Sequence, residues 1–489
     1  MNQLSIAQHG MWITARTGAA TAYHLPVLIT LDAPADHDAL AEACRRLVAR
    51  HPLLGSAVQE YDGVPRFEPA AVQPELGTAG SADEVITRQF DLEKGPLVRF
   101  ALVGERTLVV VAHHLVFDGA SKDLLVADLA AYYQGREPEQ LPELPGSGGQ
   151  RERIEAAQAE ATRFWAPRWL EPGPVTVPGG TLRSRAASSG LAHEFPLEIP
   201  ELDGLTRFET LVAAVHALLA AYGNAEVVTA LDLSTRTGAE AGRIGSYVNE
   251  LPLHSSPTAD TPFLEFAAGL RSELREVYRY REVPIGRAVP GLRPHAALAP
   301  VSISYRRTPD GGWPGGEVQW LAFNHSVRGA LQLQVAQGER GAVASLRHDP
   351  RELADPARFA GDLTRLLAAV AAGSALPLGE LTPFQAGTGD GARAADARTA
   401  VDAPADVDVK VDVDVDVDDP LVAQVRAIWE QVLDLSPIAP DDDIFDLGGH
   451  SLTITQIIAR MQRQLRVEIS LDDFFDNPTI AGVVAVVRS

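Results

Sequence analysis

Residues 109–121 read VVVAHHLVFDGAS. The apolar, β-branched run 108–111 predicts a buried strand that delivers two histidines, His113 and His114, to its end ahead of an Asp118-Gly119 turn. Ser121 is a good helix cap, and Leu124, Leu125, Leu129, Tyr132 and Tyr133 follow at helical intervals up to Gly135. A helix starting here points backbone N–H groups toward the histidine end of the strand. Histidine is the side chain whose ordinary pKa lies closest to neutral pH, so an imidazole on a rigid strand end can take and return a proton. Adjacent strand residues face opposite sides, so the two rings have different surroundings and different tasks.

The chain around this stretch has 489 residues, 46% of them hydrophobic, enough for two or three domains with full cores. Its one cysteine, Cys44, falls among Leu40, Ala43, Leu47 and Val48 on a helix face within 38–50, ended by His51-Pro52. That pattern reads as a buried small hydrophobe, and a single cysteine excludes an intrachain disulfide. A net charge of −23 opposes binding to a phosphate backbone, and no basic stripe interleaved with aromatics offsets it. Nucleic acid is not an expected partner. There is no leader-like basic and apolar opening and no apolar stretch of membrane-spanning length, so the expectation is a cytoplasmic protein with no membrane partner. No HExxH or paired Cys/His spacing occurs, so no metal site is expected. No glycine loop of the Walker or dinucleotide type is convincing either.

The second half repeats mixed helix and strand. Proline and glycine in 171–189 mark a crossover. Leu211 to Tyr222 is apolar nearly all round, which makes His216 a core histidine. VVTALDLSTR (227–236) reads as a buried strand running into a loop. From 385 onward the composition changes, ending in DVDVKVDVDVDVDD at 406–419. Aspartate is a poor strand former and a row of like charges repels itself, so the segment reads as a solvated tether. Its length, about 35 residues, spans roughly 30–35 Å on average and on the order of 110 Å when taut. A new helix then opens with Asp419 as cap and Pro420 at its first position, and Leu421, Val422, Val425, Ile428, Trp429 and Val432 share one face. Beyond it, DDDIFDLGGHSLTITQIIARM (441–461) sets Ser451 at a helix start after two glycines.

The positions His113, His114, Asp118 and Gly119 resemble the HHxxxDG signature of the condensation domains of nonribosomal peptide synthetases, a branch of the chloramphenicol acetyltransferase-like acyltransferases. LSIAQHGMWI at 4–13 is similar to the family's opening motif, with Ser5, Ala7, Gln8 and Trp12 in place. The motif begins so early that no N-terminal docking helix is expected, and an upstream partner would be recognised by folded surface. The segment ending at His51-Pro52 looks like RHPxLR, with Gly55 where the family has arginine. FDLEKGPLVRFAL (90–102), RFWAPRWL (163–170, with Phe164 for Tyr) and IGSYVNELPLH (244–254) also resemble family elements. The last is similar to GxFVNTLPLR, with Tyr247 for Phe and Glu250 for Thr. YREVPIG (280–286) weakly resembles HQDVPFE, with Tyr280 and Arg281 replacing His-Gln. LGGHS and FFDNPTIAGV (474–483) resemble the peptidyl carrier protein family.

The resemblance implies an α/β (α+β) fold of two chloramphenicol acetyltransferase-like lobes in a V-shaped pseudo-dimer, at 1–175 and 176–385, then a flexible acidic linker at 386–419 and an all-α four-helix carrier bundle at 420–489. It implies amide formation between an acyl thioester on an upstream carrier protein and an amine, in natural-product (antibiotic) biosynthesis. Ser451 is expected to carry 4'-phosphopantetheine, attached by a phosphopantetheinyl transferase. No stretch resembles an adenylation domain, so loading by an adenylation enzyme in trans is expected, with a downstream synthetase module as a further partner. His114 is expected to serve the attacking amine as general base or by orienting it, and His113 to pack beneath its neighbour. Asp118 is expected to hold the turn through a cation, with Arg236 and Arg99 as candidates. Gly119 lets the backbone approach substrate, and its N–H is a candidate oxyanion donor. A free amine or hydroxyl acceptor, and a non-catalytic platform for partners, are the alternatives.

Overall fold

The computed structural model of the chain describes residues 2–16, 21–141, 149–289, 291–292, 296–309, 312–339, 341–381, 419–433, 435–445, 447, 449 and 451–488. They belong to two compact units, the larger made of residues 1–61, 65–289 and 294–382, the smaller of 383–489 together with 62–64 and 290–293. The tether assigned to 386–419 lies outside the described residues apart from Asp419.

Two sheets organise the larger unit. The first has five strands in the order Gly316–Gln319, His24–Leu31, Thr107–His113, Val98–Val103, Leu76–Ala79. The expected histidine strand, Thr107–His113, is its centre, antiparallel to both neighbours, with His113 opposite His24 and Ala112 opposite Val98. Both faces of a central strand are covered, which is why this run is continuously apolar. Leu108 through Ala112 are buried, each leucine or valine side chain stabilising the fold by about 1.5–3 kcal/mol. Helices His37–Arg50 and Gly119–Tyr133 pack side by side. Cys44 is buried within the first of them, and burial pushes its thiol up to about 12.

The helix that follows the histidines is capped by Asp118, whose Oδ1 accepts from Ser121 N–H at 2.7 Å. This corrects the expectation of a Ser121 cap. A carboxylate three residues earlier takes the orphan N–H, and Ser121, inside the first turn, donates instead from Oγ to Gly245 O at 2.8 Å.

The second sheet has six strands in the order Leu191–Leu197, Gly341–His348, Leu331–Gly338, Val301–Arg307, Val227–Ser234, Val248–Ser255. Helix Arg207–Ala221 starts in a capping box between Thr206 and Glu209 and is buried from Thr210 to Leu219. His216 is a satisfied core histidine, its ring nitrogens 2.7 Å from Ser255 Oγ and 2.8 Å from Thr229 Oγ1. The stretch read as a crossover contains the hairpin Val175–Val177 with Gly180–Leu182, and a strand, Ala187–Ser189, that pairs with Ser326–Arg328.

A simple division of this unit at residue 175 meets one exchange. Strand Gly316–Gln319, from the second half, pairs with His24–Leu31 in the first sheet. Glycine is required at its start, because a Cβ on Gly316 lies 2.6 Å from Thr30 O. Asn324 then donates from Nδ2 to the carbonyls of Thr21, Ala22 and His24 at 3.0, 3.3 and 3.0 Å. Residues 316–328 therefore knit the two halves together.

The smaller unit contains helices Pro420–Leu433, Ser451–Leu465, Leu471–Asp476 and Ile480–Arg488. Asp419 Oδ1 accepts from Leu421 N–H at 2.9 Å, the expected cap. The core gathers Val425, Ile428, Trp429, Ile454, Ile457, Met461, Phe474 and Val483, with Trp429 stacked on Phe474 at 5.6 Å between centroids. Among the described residues, no helix is long and apolar enough to cross a membrane, and no group of His, Cys, Asp or Glu is placed to hold a metal ion.

Candidate active site

The two histidines leave the central strand into different environments. His113 is buried among Tyr23, His24 and Phe90, and its Nδ1 accepts from Leu115 N–H at 3.2 Å. Burial, with His24, His114 and Arg99 adding to it, holds this imidazole neutral, well below its usual pKa. His114 is half-buried, and its Nδ1 lies 2.8 Å from Phe117 O. A carbonyl only accepts, so Nδ1 carries the proton and the neutral ring presents Nε2 as its basic nitrogen. Burial lowers the His114 pKa, Arg328 lowers it further, and Asp232 and Asp118 oppose them.

The backbone keeps this ring in place. His114 N–H donates to Tyr23 O at 2.8 Å, and Gln8 of the opening motif donates from Nε2 to Leu115 O at 2.7 Å. The opening segment thus reaches the residue that follows the histidine pair.

Asp118 is spent on structure. Besides the helix cap, its Oδ1 accepts from Arg236 Nη2 at 2.8 Å and its Oδ2 from Tyr247 N–H at 3.0 Å. Arg236 continues the latch, donating to Ser121 Oγ at 2.9 Å and to the carbonyls of Glu240 and Arg243 at 2.7 Å each, with Tyr247 stacked 4.5 Å from its guanidinium. Arg99, the other candidate cation, is not at this carboxylate. It sits 3.7 Å over the Phe90 ring and donates to the carbonyls of Val85 and Arg88. The physical reason is strand alternation: opposite Val111, Arg99 projects to the side of the sheet where helix Ala82–Thr87 packs.

Gly119 opens the helix and is exposed. A Cβ there meets only Arg306 Cδ at 3.7 Å, ordinary contact, so the fold itself does not demand glycine at this place. A buried ionic group near His114 was not legible from motifs. Arg328 Nη2 lies 3.2 and 3.3 Å from the two oxygens of Asp232 and 3.9 Å from Glu250 Oε1. The available signals were Asp232, a charge inside a largely apolar strand, and Glu250, a glutamate where the related motif has threonine.

In the smaller unit Ser451 is the first residue of helix Ser451–Leu465. The loop before it is pinned where Ile444 N–H donates to Pro478 O at 2.9 Å and Gly449 N–H to Ile444 O at 2.7 Å. A Cβ on Gly449 lies 2.4 Å from Ile444 Cγ1 and 2.6 Å from Ile444 O, so only glycine closes this turn. A serine presented at a helix start by such a turn fits a phosphopantetheine attachment point.

Comparison with known proteins assigns a family to each of two segments of the chain. Residues 1–301 match the Condensation domain family and residues 423–487 match the Phosphopantetheine attachment site family. Chondramide synthase from Chondromyces crocatus is 26% identical over 431 residues, covering 78% of this chain and 11% of that protein. Surfactin synthase subunit 2 from Bacillus subtilis is 26% identical over 311 residues, 58% of this chain and 9% of that protein. The chain thus spans about a tenth of the length of these curated relatives. In fold, it is similar to the first condensation domain of the calcium-dependent antibiotic synthetase, with TM-score 0.64, 19% identity, and 78% of this chain and 98% of that one covered. The X-domain from teicoplanin biosynthesis is similar too, with TM-score 0.61, 21% identity, and 77% and 96% covered. With its histidine strand in the first matched segment and Ser451 in the second, the chain belongs to the condensation-domain family of amide-forming acyltransferases of nonribosomal peptide synthesis and carries a phosphopantetheine attachment site.

Proposed function

We propose that the larger unit joins an acyl or peptidyl group, delivered as a thioester on an upstream carrier protein, to the amine of an aminoacyl group held at Ser451. When attached at Ser451, the phosphopantetheine arm supplies the thiol that carries this acceptor. A phosphopantetheinyl transferase and an adenylation enzyme acting in trans prepare it in the cytoplasm, and a downstream synthetase module receives the product.

The observation that carries the reading is the tautomer of His114. With Nδ1 engaged by Phe117 O, Nε2 is left as the ring's acceptor. Aminolysis of a thioester is downhill, and holding both partners in reactive geometry reaches effective molarities on the order of 10⁵ M or more. The amine nitrogen bonds to the acyl carbon, the carbon–sulfur bond breaks, and the upstream thiol leaves. His114 Nε2 takes the amine proton or orients the amine by accepting its hydrogen bond. The backbone N–H of Gly119, at the start of helix Gly119–Tyr133, is the donor assigned to the developing oxyanion.

The test is intact-mass analysis of the full chain, phosphopantetheinylated and aminoacylated at Ser451, after addition of an acyl-loaded upstream carrier. Native protein gains the acyl mass on Ser451, and His114→Ala loses about 10²-fold or more in rate at unchanged thermal stability. No transfer to a verified acceptor, across several donors, overturns the Ser451 acceptor and moves the reading to a free amine, a hydroxyl, or a platform.

A further inference from the structure

Position 250 carries glutamate where the related motif has threonine. Strand pairing sets Glu250 directly opposite Asp232, so two carboxylates share one face of the second sheet. Arg328 answers both from strand Ser326–Arg328, and the three side chains are only 11–17% exposed. One guanidinium does not neutralise two carboxylates in such a site, so the acid less well served by it holds its proton to higher pH than a free carboxyl. Both Asp232 oxygens are within hydrogen-bond reach of Arg328. Glu250 has a weaker claim on it: Oε2 accepts from Leu298 N–H at 2.6 Å, and Oε1 is buried without a hydrogen-bond partner. Burial pushes the Glu250 carboxyl up to about 7, with Arg328 opposing and Asp232 adding.

The groups that face this carboxyl come from several elements. Asp232 lies on the adjacent strand and Arg328 on Ser326–Arg328. The phenol of Tyr23 senses both Arg328 and Glu250. Beyond Arg328 stands Arg347, tied to the carbonyls of Leu321 and Ala322 at 3.0 Å each. His114 packs edge-on to Tyr23 at 6.2 Å between ring centroids and senses Arg328 and Asp232.

We propose that Glu250 is a positioning residue for the condensation reaction, acting on His114 through Arg328. With Glu250 neutral, the field of Arg328 opposes a positive charge on His114. With Glu250 ionised, its proton lost to solvent, it joins Asp232 in offsetting that field and His114 accepts the amine proton more readily. The inference rests on the condensation reading, and it deepens it by naming the group that sets the pH response of His114.

Two measurements on the full chain test it. In the acyl-transfer assay, the rate ratio of native protein to Glu250→Gln rises about five- to tenfold as pH increases through Glu250 ionisation near 7. The acceptor amine's own titration is common to both proteins and cancels in the ratio. Glu250→Thr behaves like Glu250→Gln, and Glu250→Asp keeps the response. Without substrate, the ¹⁵N ring resonances of His114 in histidine-labelled protein show an inflection near 7 that is lost in Glu250→Gln. A flat rate ratio, or an inflection that persists in Glu250→Gln, overturns the proposal. The resonance measurement needs no turnover, so absence of acyl transfer bears on the condensation reading alone.

Discussion

Asp118 lies four residues after His114, and its three hydrogen bonds go to a helix N–H, to the N–H of Tyr247 just before strand Val248–Ser255, and to Arg236. Breaking a buried ion pair by removing one partner leaves an uncompensated charge, which costs about 3–5 kcal/mol. Arg236→Ala is therefore expected to destabilise the larger unit by about that amount in denaturant unfolding, and Asp118→Asn to lower melting temperature and acyl transfer together. An inactive Asp118→Asn protein with unchanged melting would give Asp118 a chemical role instead. Arg99→Ala, by contrast, empties the site over Phe90 and leaves the Asp118 latch intact. From spacing alone the two arginines were indistinguishable, because which one reaches Asp118 depends on strand alternation and on the path of the 235–247 loop.

At the scale of elements, strand ends and helix starts carry both sites. The histidine strand was legible as a strand because it is central and covered on both faces, which leaves a continuous apolar run. Its helix cap was misassigned because Asp118 and Ser121 are both good capping residues, and only the latch to Gly245 shows where Ser121 Oγ is used. The carrier turn gives a sharper expectation. In Gly449→Ala the new methyl meets Ile444 Cγ1 and its backbone oxygen, and overpacking of that kind costs about 1–3 kcal/mol. The fraction of Ser451 modified under limiting transferase, read by intact mass, should fall, and amide exchange in helix Ser451–Leu465 should speed up. Unchanged modification and exchange would mean that the turn relaxes without displacing the helix start.

For the whole molecule, the buried histidines set the acid limit. Burial lowers His9 and His24 to about 4 and His216 to about 3, against an ordinary value of 6.5. Between those values and 6.5 the unfolded chain binds protons that the native chain does not. Their stabilisation is thus fully present above about 6.5 and is lost as pH falls toward 4. With three such groups the slope reaches up to about 4 kcal/mol per pH unit. Unfolding midpoints of the larger unit measured between pH 7 and about 4.5 should drop accordingly, and His216→Gln should flatten the slope by about a third. A midpoint independent of pH in that window would show these rings to be protonated in the native state.

The sequence by itself determined the local features: a central apolar strand ending at the histidine pair, a helix start shortly after it, a core helix with a buried His216, and a helix start at Ser451 after two glycines; the turn expected at Asp118-Gly119 falls instead at His114-Leu115, with Asp118 as helix cap. Each is written in residues that are neighbours along the chain, where periodicity and capping chemistry act. Only the tertiary structure decided which arginine closes on Asp118, that residues 316–319 complete the first sheet, and that Glu250, Asp232 and Arg328 form one buried charge group near His114. Those contacts join residues far apart in the chain, and they depend on strand register and sheet order, which no local pattern encodes.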